Sequence, residues 1–292
     1  MKKMNKALLC VFAITLLAVS AIGCTAKPTP SESPAAEATP EATAEAGEVT
    51  PEATQEQTDK STLVVGTSAD YPPYEFHIMK DGKDMIVGFD MDIAQAIADD
   101  MGVELEIKDM NFDGLLMALS EGQVDMVVAG MNPSDERKES ADFSIMYYYS
   151  NHTAVLPEGT EGDFTELSDL DGMKVGVQKG SLQEQIVTEN VKAKEIIALG
   201  KVTDLVLALQ SGTVDAIFLE KPVAESYCKS STGMKVSKIE FTPDDSGTAI
   251  AVQKGNTDLL DKINATLAKL IEEGKVDEFV AAANILAENS AE

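Results

Sequence analysis

Residues 118–125 read ALSEGQVD, and residues 208–215 read ALQSGTVD, at an offset of 90 residues. Each octapeptide ends an apolar pattern of helical period, continues through a glycine suited to closing a helix, and begins an apolar strand. The recurrence predicts that one unit of helix, tight turn and strand occurs twice in the chain.

Further strand-like and helix-like patterns extend this unit on both sides. The predicted elements are strand 63–66, helix 89–101, strand 103–107, helix 112–119 and strand 124–128 in the first unit, and strand 173–177, helix 182–191, strand 195–199, helix 202–209 and strand 216–219 in the second. Because strands that alternate with helices form parallel sheets, the sequence predicts an α/β protein with two similar lobes rather than one long sheet.

This arrangement predicts where a ligand binds. In open parallel sheets, ligands bind beyond the carboxyl ends of the strands. Those ends fall at residues 128–132 in the first unit and at 218–220 in the second. If the two lobes face each other across these ends, they enclose the ligand between them.

The composition excludes nucleic acid as a partner. The 292 residues include 23 basic and 50 acidic side chains, for a formal net charge of −27. A chain of this charge does not neutralise a phosphate backbone. With 44% hydrophobic residues, it has enough apolar material for folded cores, which excludes global disorder.

Sequence motifs for cofactors, metals and catalysis are absent. Three cysteines are too few for a disulfide framework or a cysteine-rich zinc site. The two histidines, His77 and His152, lack metal-ligand spacing, and no Walker loop, Gly-x-Gly-x-x-Gly or Gly-x-Ser-x-Gly motif occurs. We therefore expect no cofactor, no metal site and no enzymatic activity.

The N-terminus has the pattern of an export signal. Three lysines precede an uncharged apolar run over residues 7–22, which is short for a membrane span of ~20 apolar residues. Residues 21–24 (AIGC) resemble a bacterial lipobox, so we expect a signal peptide over residues 1–23 and lipidation of Cys24. An uncleaved anchor and a plain signal peptide are the alternatives.

Residues 24–60 then form a predicted tether. From residue 25 onward this stretch is rich in proline, alanine, threonine and glutamate and contains no aromatic residue. It cannot bury enough apolar surface to offset the entropy of ordering, so we expect disorder. The tether would hold the folded part of the chain away from the membrane surface.

Two charged residues near the predicted strand ends are candidates for ligand recognition. Arg137 is the only arginine beside 22 lysines, and a guanidinium grips a carboxylate with two parallel hydrogen bonds as an ammonium cannot. Glu220 follows the apolar run 216–219, so its carboxylate is placed to meet a cation. Together they would hold a zwitterion by both charges. The alternatives are an ordinary surface arginine and a solvated glutamate.

Several segments, in order, resemble the extracellular solute-binding proteins of amino-acid ABC transporters. They are GTSADYPPYEF (66–76), VGFDMD (87–92), FDGL (112–115), AGMN (129–132) with ERK (136–138), VGVQKGS (175–181) and VDA (214–216). The resemblance covers residues 61 to 287. It implies the type II fold of periplasmic binding proteins: two Rossmann-like lobes joined by a two-stranded hinge, with the ligand cleft between them.

The resemblance also implies roles for matching residues. Arg137 would clamp the ligand α-carboxylate, and Glu220 would bind the α-ammonium. The other implied ligand contacts are Asn132 and the backbone near Ser181 and Leu182 for the carboxylate, the Gly130 carbonyl for the ammonium, Tyr71 and Phe112 around the side chain, and Ser68 or Asp70 near it. Relatives that select cationic amino acids often carry an acidic residue at the position of Ser68, whereas here Asp70 stands two residues on.

Lobe boundaries follow from the same resemblance. The first lobe would comprise residues 61–151 and 247–292, and the second residues 152–246. The terminal segment 259–286 would pack on the first lobe. Closure of the hinge around the ligand is the expected motion.

We therefore expect a monomeric, lipid-anchored receptor on the extracytoplasmic face of the cell membrane. It would capture an amino acid and deliver it to a membrane permease. One alternative is a dehydratase on the same fold, which would need a general acid or base in the cleft. Another is a sensor domain, which would need a separate signalling partner. Asp70 and Glu75 favour a cationic or amide side chain on the ligand, but the sequence does not identify the amino acid.

Overall fold

The computed structural model describes residues 61–243 and 247–289. The predicted signal peptide, the lipidated Cys24 and the tether lie outside the described residues. Within the described part, none of the helices has both the length and the apolar composition that crossing a membrane requires.

The described chain alternates short strands and helices. The strands are β1 Thr62–Thr67, β2 Asp70–Tyr71, β3 Glu75–Lys80, β4 Lys83–Val87, β5 Glu104–Asp109, β6 Met126–Val127, β7 Ala141–Phe143, β8 Tyr148–Tyr149, β9 His152–Pro157, β10 Lys174–Gln178, β11 Glu195–Leu199, β12 Ala216–Glu220, β13 Met234–Val236, β14 Gly247–Thr248 and β15 Ala251–Gln253. The α-helices are α1 Phe89–Met101, α2 Leu115–Ser120, α3 Asp135–Ser140, α4 Leu182–Asn190, α5 Val202–Gln210, α6 Lys221–Ser230, α7 Thr257–Glu272 and α8 Lys275–Asn289.

Two five-stranded sheets form the centres of the two lobes. The first has the order β5-β1-β6-β15-β7, and the second has the order β11-β10-β12-β9-β13. In each sheet the first three strands are parallel, as the alternation predicted. The α/β class with two similar lobes is thus confirmed.

Each sheet also contains one strand that runs antiparallel to its neighbours, which the alternation of strands and helices did not predict. β15 runs antiparallel to both of its neighbours in the first sheet, and β9 does so in the second. Both strands belong to segments that follow a passage between the sheets. A chain that arrives from the other lobe enters the sheet without a helical crossover, so it is free to run in the opposite direction.

The repeated octapeptides form the same local structure in both lobes. Gly122 and Gly212 adopt positive φ angles of 71° and 73° at the ends of α2 and α5. The following Asp125 and Asp215 each bond to the start of a central parallel strand, β1 in the first lobe and β10 in the second. Their carboxylates accept hydrogen bonds from Val64 N at 2.7 Å and from Lys174 N at 2.8 Å. The repeat therefore encodes the junction between helix and strand in both lobes.

A two-stranded connection joins the lobes. β8 pairs antiparallel with β14, so the outgoing and returning segments lie side by side. A Cβ atom at Gly247 would lie 2.3 Å from the Met146 sulfur and 2.8 Å from the Tyr149 ring, so a larger residue there would have to displace these side chains. The exact lobe boundaries at residues 151 and 246 stay a prediction.

The C-terminal helices complete the first lobe. α7 and α8 both pack against α1, and α8 also contacts α6. Buried Ile263 and Leu267 of α7 lie in the same apolar cluster as Ile93 and Ile97 of α1. Helix α1 spans the predicted range, and Gly102 closes it with φ 68°. The predicted helix 112–119 is instead a 3₁₀ turn, Phe112–Gly114, followed by α2.

Candidate functional site

An inner cavity lies between the two lobes at the carboxyl ends of the central strands. It has a volume of about 10 Å³, room for one water molecule. Its lining residues are Tyr71, Glu75, Phe112, Ala129, Gly130, Asn132, Gln178, Leu182 and Gln183. Five of the ten predicted ligand residues are among them: Tyr71, Phe112, Gly130, Asn132 and Leu182.

An outer groove of about 670 Å³ adjoins this cavity and leads to the surface. Leu182 lines both spaces, so they are neighbours, and we call the groove the entrance. Arg137 and Ser181, two further predicted ligand residues, line the groove rather than the cavity.

Arg137 joins the two lobes at this entrance. It lies on α3, whose N-terminus is capped by the Ser134 side chain. Its guanidinium donates to the Asn132 carbonyl at 2.7 Å and to the Gly180 carbonyl of the second lobe at 2.9 Å. It also lies over the Phe112 ring, 5.2 Å from the centroid.

The guanidinium remains charged, and no acidic residue in the described part of the chain forms an ion pair with it. Burial lowers the pKa of Arg137 to about 10, so the group is still cationic at neutral pH. Among residues 61–243 and 247–289, no carboxylate lies within ion-pair distance of it. It therefore has the charge and the hydrogen-bonding geometry to receive a carboxylate from a ligand.

The N-terminus of α4 faces the same entrance. Ser181 caps this helix by accepting from Glu184 N, and its hydroxyl donates to the Gln178 carbonyl at 2.6 Å. The unsatisfied amides at a helix N-terminus favour an anion. Arg137 and α4 thus provide positive potential from opposite lobes.

Gly130 permits the close packing of the aromatic wall. Its φ of 55° is in the left-handed region, and a Cβ atom there would lie 3.3 Å from the rings of Tyr71 and Tyr74. Tyr71 also accepts a hydrogen bond from Gln183 of the second lobe at 3.1 Å. Tyr71 of the first lobe therefore also contacts the second lobe.

Glu220 ends β12 and is fully buried. One carboxylate oxygen accepts hydrogen bonds from the Tyr74 hydroxyl and from the Ser150 hydroxyl, the latter at 2.6 Å. The other, Oε1, has no hydrogen-bond partner. Burial raises the pKa of Glu220 to about 7, against the opposing effect of the Ser150 and Tyr74 hydroxyls and of the nearby Asn132 side chain. Glu220 lines neither the inner cavity nor the outer groove, and a donor that reached Oε1 would satisfy it.

Glu75 is a second buried carboxyl group, and it lines the inner cavity. It is 1% exposed, and its Oε2 has no hydrogen-bond partner. Burial, and secondly the neighbouring Asp90, raise the pKa of Glu75 well above its usual range. Asp90 accepts from Gly130 N and from the Tyr147 hydroxyl, each at 2.8 Å, and its burial raises its own pKa to about 6.

Ser68 and Asp70 lie outside the inner cavity. The Ser68 hydroxyl donates to Asp70 at 3.2 Å, and the other Asp70 carboxylate oxygen accepts from Val202 N at the start of α5. Both side chains are thus engaged at a different part of the contact between the lobes.

Sequence reasoning did not select several cavity residues. Glu75 and Gln178 each leave a buried polar atom without a partner, and Gln183 bonds to Tyr71 across the cleft. Gln178 is the buried last residue of β10, at the carboxyl end of a parallel strand. Glu75 entered the sequence analysis only as an acidic residue that favours a cationic or amide ligand, not as a predicted ligand contact.

The described residues contain no group of three or more histidine, cysteine or acidic side chains suited to a metal ion. His152 lies in β9, fully buried and stacked on Phe218, and neither ring nitrogen has a hydrogen-bond partner. Burial lowers the pKa of His152 to about 4.

Comparison with known proteins places this geometry in context. Residues 63–282 match the bacterial extracellular solute-binding proteins of family 3. The arginine-binding extracellular protein ArtP of Bacillus subtilis is 38% identical over 231 residues, which cover 76% of this chain and 86% of ArtP. The L-cystine-binding protein TcyJ of Escherichia coli K12 is 33% identical over 217 residues, 74% of this chain and 80% of TcyJ.

Solved structures show the same fold. One is AbpA of Streptococcus pneumoniae, an amino-acid ABC transporter substrate-binding protein, in complex with L-arginine. It superposes on this chain with a TM-score of 0.75 at 32% sequence identity, and the match covers 78% of this chain and 96% of AbpA. Another is an ancestral arginine-binding protein bound to glutamine, with a TM-score of 0.70 at 39% sequence identity. This match covers 75% of this chain and 96% of the ancestral protein.

Proposed function

The chain belongs to the bacterial extracellular solute-binding proteins of family 3, and we propose that it captures a cationic amino acid, arginine in the first place. It is the substrate-binding protein of an amino-acid ABC transporter and acts outside the cytoplasm. The relatives compared above are named as binding proteins, not as enzymes. We assign this chain a binding role and no catalytic one.

The backbone groups of the amino acid would be held by two opposite charges. Arg137, which has no acidic partner among the described residues, takes the α-carboxylate, helped by the N-terminus of α4. Glu220, through its unpaired Oε1, takes the α-ammonium. Tyr71 and Phe112 flank the aliphatic part of the ligand, and Asn132 and the Gly130 carbonyl supply further hydrogen bonds.

The cationic side chain is inferred from Glu75. This carboxyl group is buried in the cavity wall with an oxygen that no described residue satisfies. Glu75 shares a hydrogen bond with Asp90, which is itself a buried acid, so its Oε2 is the atom left unsatisfied. Burying such an atom is costly, and a guanidinium that reaches it offsets the cost with charge-assisted hydrogen bonds. No lysine or arginine lines the inner cavity to neutralise it. The arginine named in several relatives fits this arrangement.

Binding requires the lobes to part. A cavity of about 10 Å³ is far smaller than an amino acid, and Arg137 bonds to Gly180 of the opposite lobe. Rotation at β8 and β14 would widen the cleft, admit the ligand through the outer groove and let the lobes close again. During this cycle the guanidinium would exchange backbone carbonyls for the ligand carboxylate.

Delivery follows from the family. The closed, loaded protein would dock on a membrane permease and release the amino acid there. We propose that Cys24 carries a lipid that keeps the protein at the membrane and that the protein acts as a monomer. Mass spectrometry of the N-terminal peptide tests the lipid, since a diacylglyceryl mass on Cys24 is expected and an unmodified cysteine would contradict it.

A thermal-shift screen tests the ligand. The purified protein is unfolded and refolded to remove carried-over ligand, then heated with each of the twenty amino acids, citrulline and cystine. A ligand at a thousand times its Kd adds ~4 kcal/mol of stability. We expect arginine to give the largest shift and lysine a smaller one. A largest shift with a neutral or acidic amino acid would refute the assignment to a cationic ligand.

A further inference from the structure

A second set of contacts joins the lobes away from the inner cavity. Asp70 is 7% exposed, and its carboxylate accepts from Val202 N, the first amide of α5 in the second lobe. The Tyr227 hydroxyl of the second lobe donates to the Asp70 carbonyl at 2.7 Å. Asp70 therefore contacts the second lobe through both its side chain and its backbone.

The adjacent loops extend this contact. Lys201 of the second lobe pairs with Asp109 of the first at 2.9 Å and donates to the Met110 carbonyl at 3.3 Å. A Cβ atom on Gly200 would lie 2.8 Å from the Asn111 side-chain nitrogen. The two loops are thus in direct contact, and a methyl group at residue 200 would have to displace the Asn111 side chain in the closed position.

We call this set of contacts the closing seam: Asp70, Asp109, Asn111, Gly200, Lys201 and Tyr227. None of these residues lines the inner cavity. Closure therefore makes a charged hydrogen bond to a helix N-terminus and an ion pair that need no ligand atom.

We infer that Asp70 is a positioning residue that raises affinity by stabilising the closed lobes, and that it does not contact the ligand. The inference rests on the proposed function, because it concerns the affinity for an amino acid. A ligand that is enclosed between the lobes binds the closed form, so its apparent Kd rises when that form becomes less populated. The factor depends on the closing equilibrium alone and is the same for every ligand.

This consequence separates the inference from a direct contact between Asp70 and the ligand. If Asp70 paired with a cationic side chain, its removal would raise the Kd of arginine much more than the Kd of citrulline, the neutral isostere. If Asp70 is instead a contact that stabilises the closed lobes, its removal raises both Kd values by the same factor.

The first test compares Asp70→Ala with Asp70→Asn. Alanine removes the acceptor of the Val202 amide, whereas asparagine keeps a neutral acceptor. Calorimetry should give a Kd for arginine about 10- to 100-fold higher in Asp70→Ala, with partial rescue in Asp70→Asn. The Kd ratio between arginine and citrulline should stay within threefold of the wild-type ratio. An affinity unchanged within twofold, or a loss confined to arginine, would overturn the inference.

Gly200→Ala provides an independent test that removes no polar group. The added methyl group meets Asn111 and should raise the dissociation rate of arginine at least fivefold by stopped flow, with the association rate within threefold. Gly159→Ala is the matched control, because open space surrounds that position. A dissociation rate equal to that of the control would contradict the seam, even if the Asp70 variants fail to fold.

Small-angle scattering separates this inference from the proposed function. Without ligand, Asp70→Ala and Gly200→Ala should each show a larger radius of gyration than Gly159→Ala. Equal radii would count against the seam even if arginine binds. Absence of amino-acid binding by the wild type would instead refute the proposed function, whatever the radii.

Discussion

Glu75→Gln is the sharpest test of ligand selectivity. The substitution keeps the size and one hydrogen-bonding oxygen of the side chain but removes its ability to carry charge. Glu75 is buried in the cavity wall, and its free oxygen is the feature from which we inferred a cationic ligand. The change therefore removes the proposed partner of the guanidinium and little else.

The expected magnitude follows from burial. A hydrogen bond to a charged group contributes about 1.5–3 kcal/mol, and removing one partner of a buried charge pair costs about 2–5 kcal/mol. A loss near 3 kcal/mol corresponds to a Kd for arginine that is about 150-fold higher. Citrulline cannot form the ion pair, so its Kd should change by less than about threefold.

The assay is titration calorimetry with both ligands. Thermal unfolding without ligand provides an internal control, because Glu75→Gln removes a buried group with a raised pKa beside Asp90 and should not lower the melting temperature. Glu158→Gln, an exposed position in the second lobe, should behave as the wild type. Equal losses for arginine and citrulline would refute the assignment of Glu75 to the side-chain cation.

Four further predictions concern the clamp and the titratable groups. Arg137→Ala should raise the Kd of every bound amino acid at least 100-fold, because it removes the charged donor to the α-carboxylate. The circular dichroism spectrum should stay unchanged. An unaltered Kd would show that Arg137 does not bind the ligand. Glu220→Gln should raise the Kd of arginine much more than the Kd of its deaminated analogue. Equal increases would show that Glu220 does not bind the α-ammonium group. Because burial raises the pKa of Glu220 to about 7, a bound cation must displace its proton below that pH; affinity should therefore fall as pH drops below 7, and a Kd flat from pH 8 to 5 would contradict this. Burial lowers the pKa of His152 from 6.5 to about 4, so the unfolded chain binds a proton at a higher pH than the folded chain does. The free energy of unfolding should therefore decrease as the pH drops between these values, by about 3 kcal/mol at most. In denaturant titrations, His152→Leu should lack this decrease.

The sequence predicted the lobes well because their signals are local. Helix α1 was placed correctly, since its apolar period runs from Phe89 and Gly102 closes it. The repeated octapeptides marked matching junctions in the two lobes. By contrast, β15 has three residues, and its antiparallel direction depends on the path of the chain between the lobes rather than on its own composition.

The cavity was predictable only in part. Arg137 was conspicuous as a lone arginine, and Glu220 as an acid at a strand end. Glu75 was used as an acidic residue that favours a cationic ligand, but it was not predicted to contact the ligand, because its burial is a product of the tertiary fold. Asp70 was assigned to the ligand from the resemblance, yet its partner Val202 is 132 residues away and on the other lobe. Local patterns carry no information about such a contact.

The most direct test of the account is a crystal structure of the protein with arginine. We predict the α-carboxylate within 3.2 Å of the Arg137 guanidinium, the α-ammonium on the Glu220 carboxylate and the ligand guanidinium on Glu75. An arginine bound in the reverse orientation, or with its side chain away from Glu75, would contradict the central claim that two buried carboxyl groups and one arginine select a cationic amino acid.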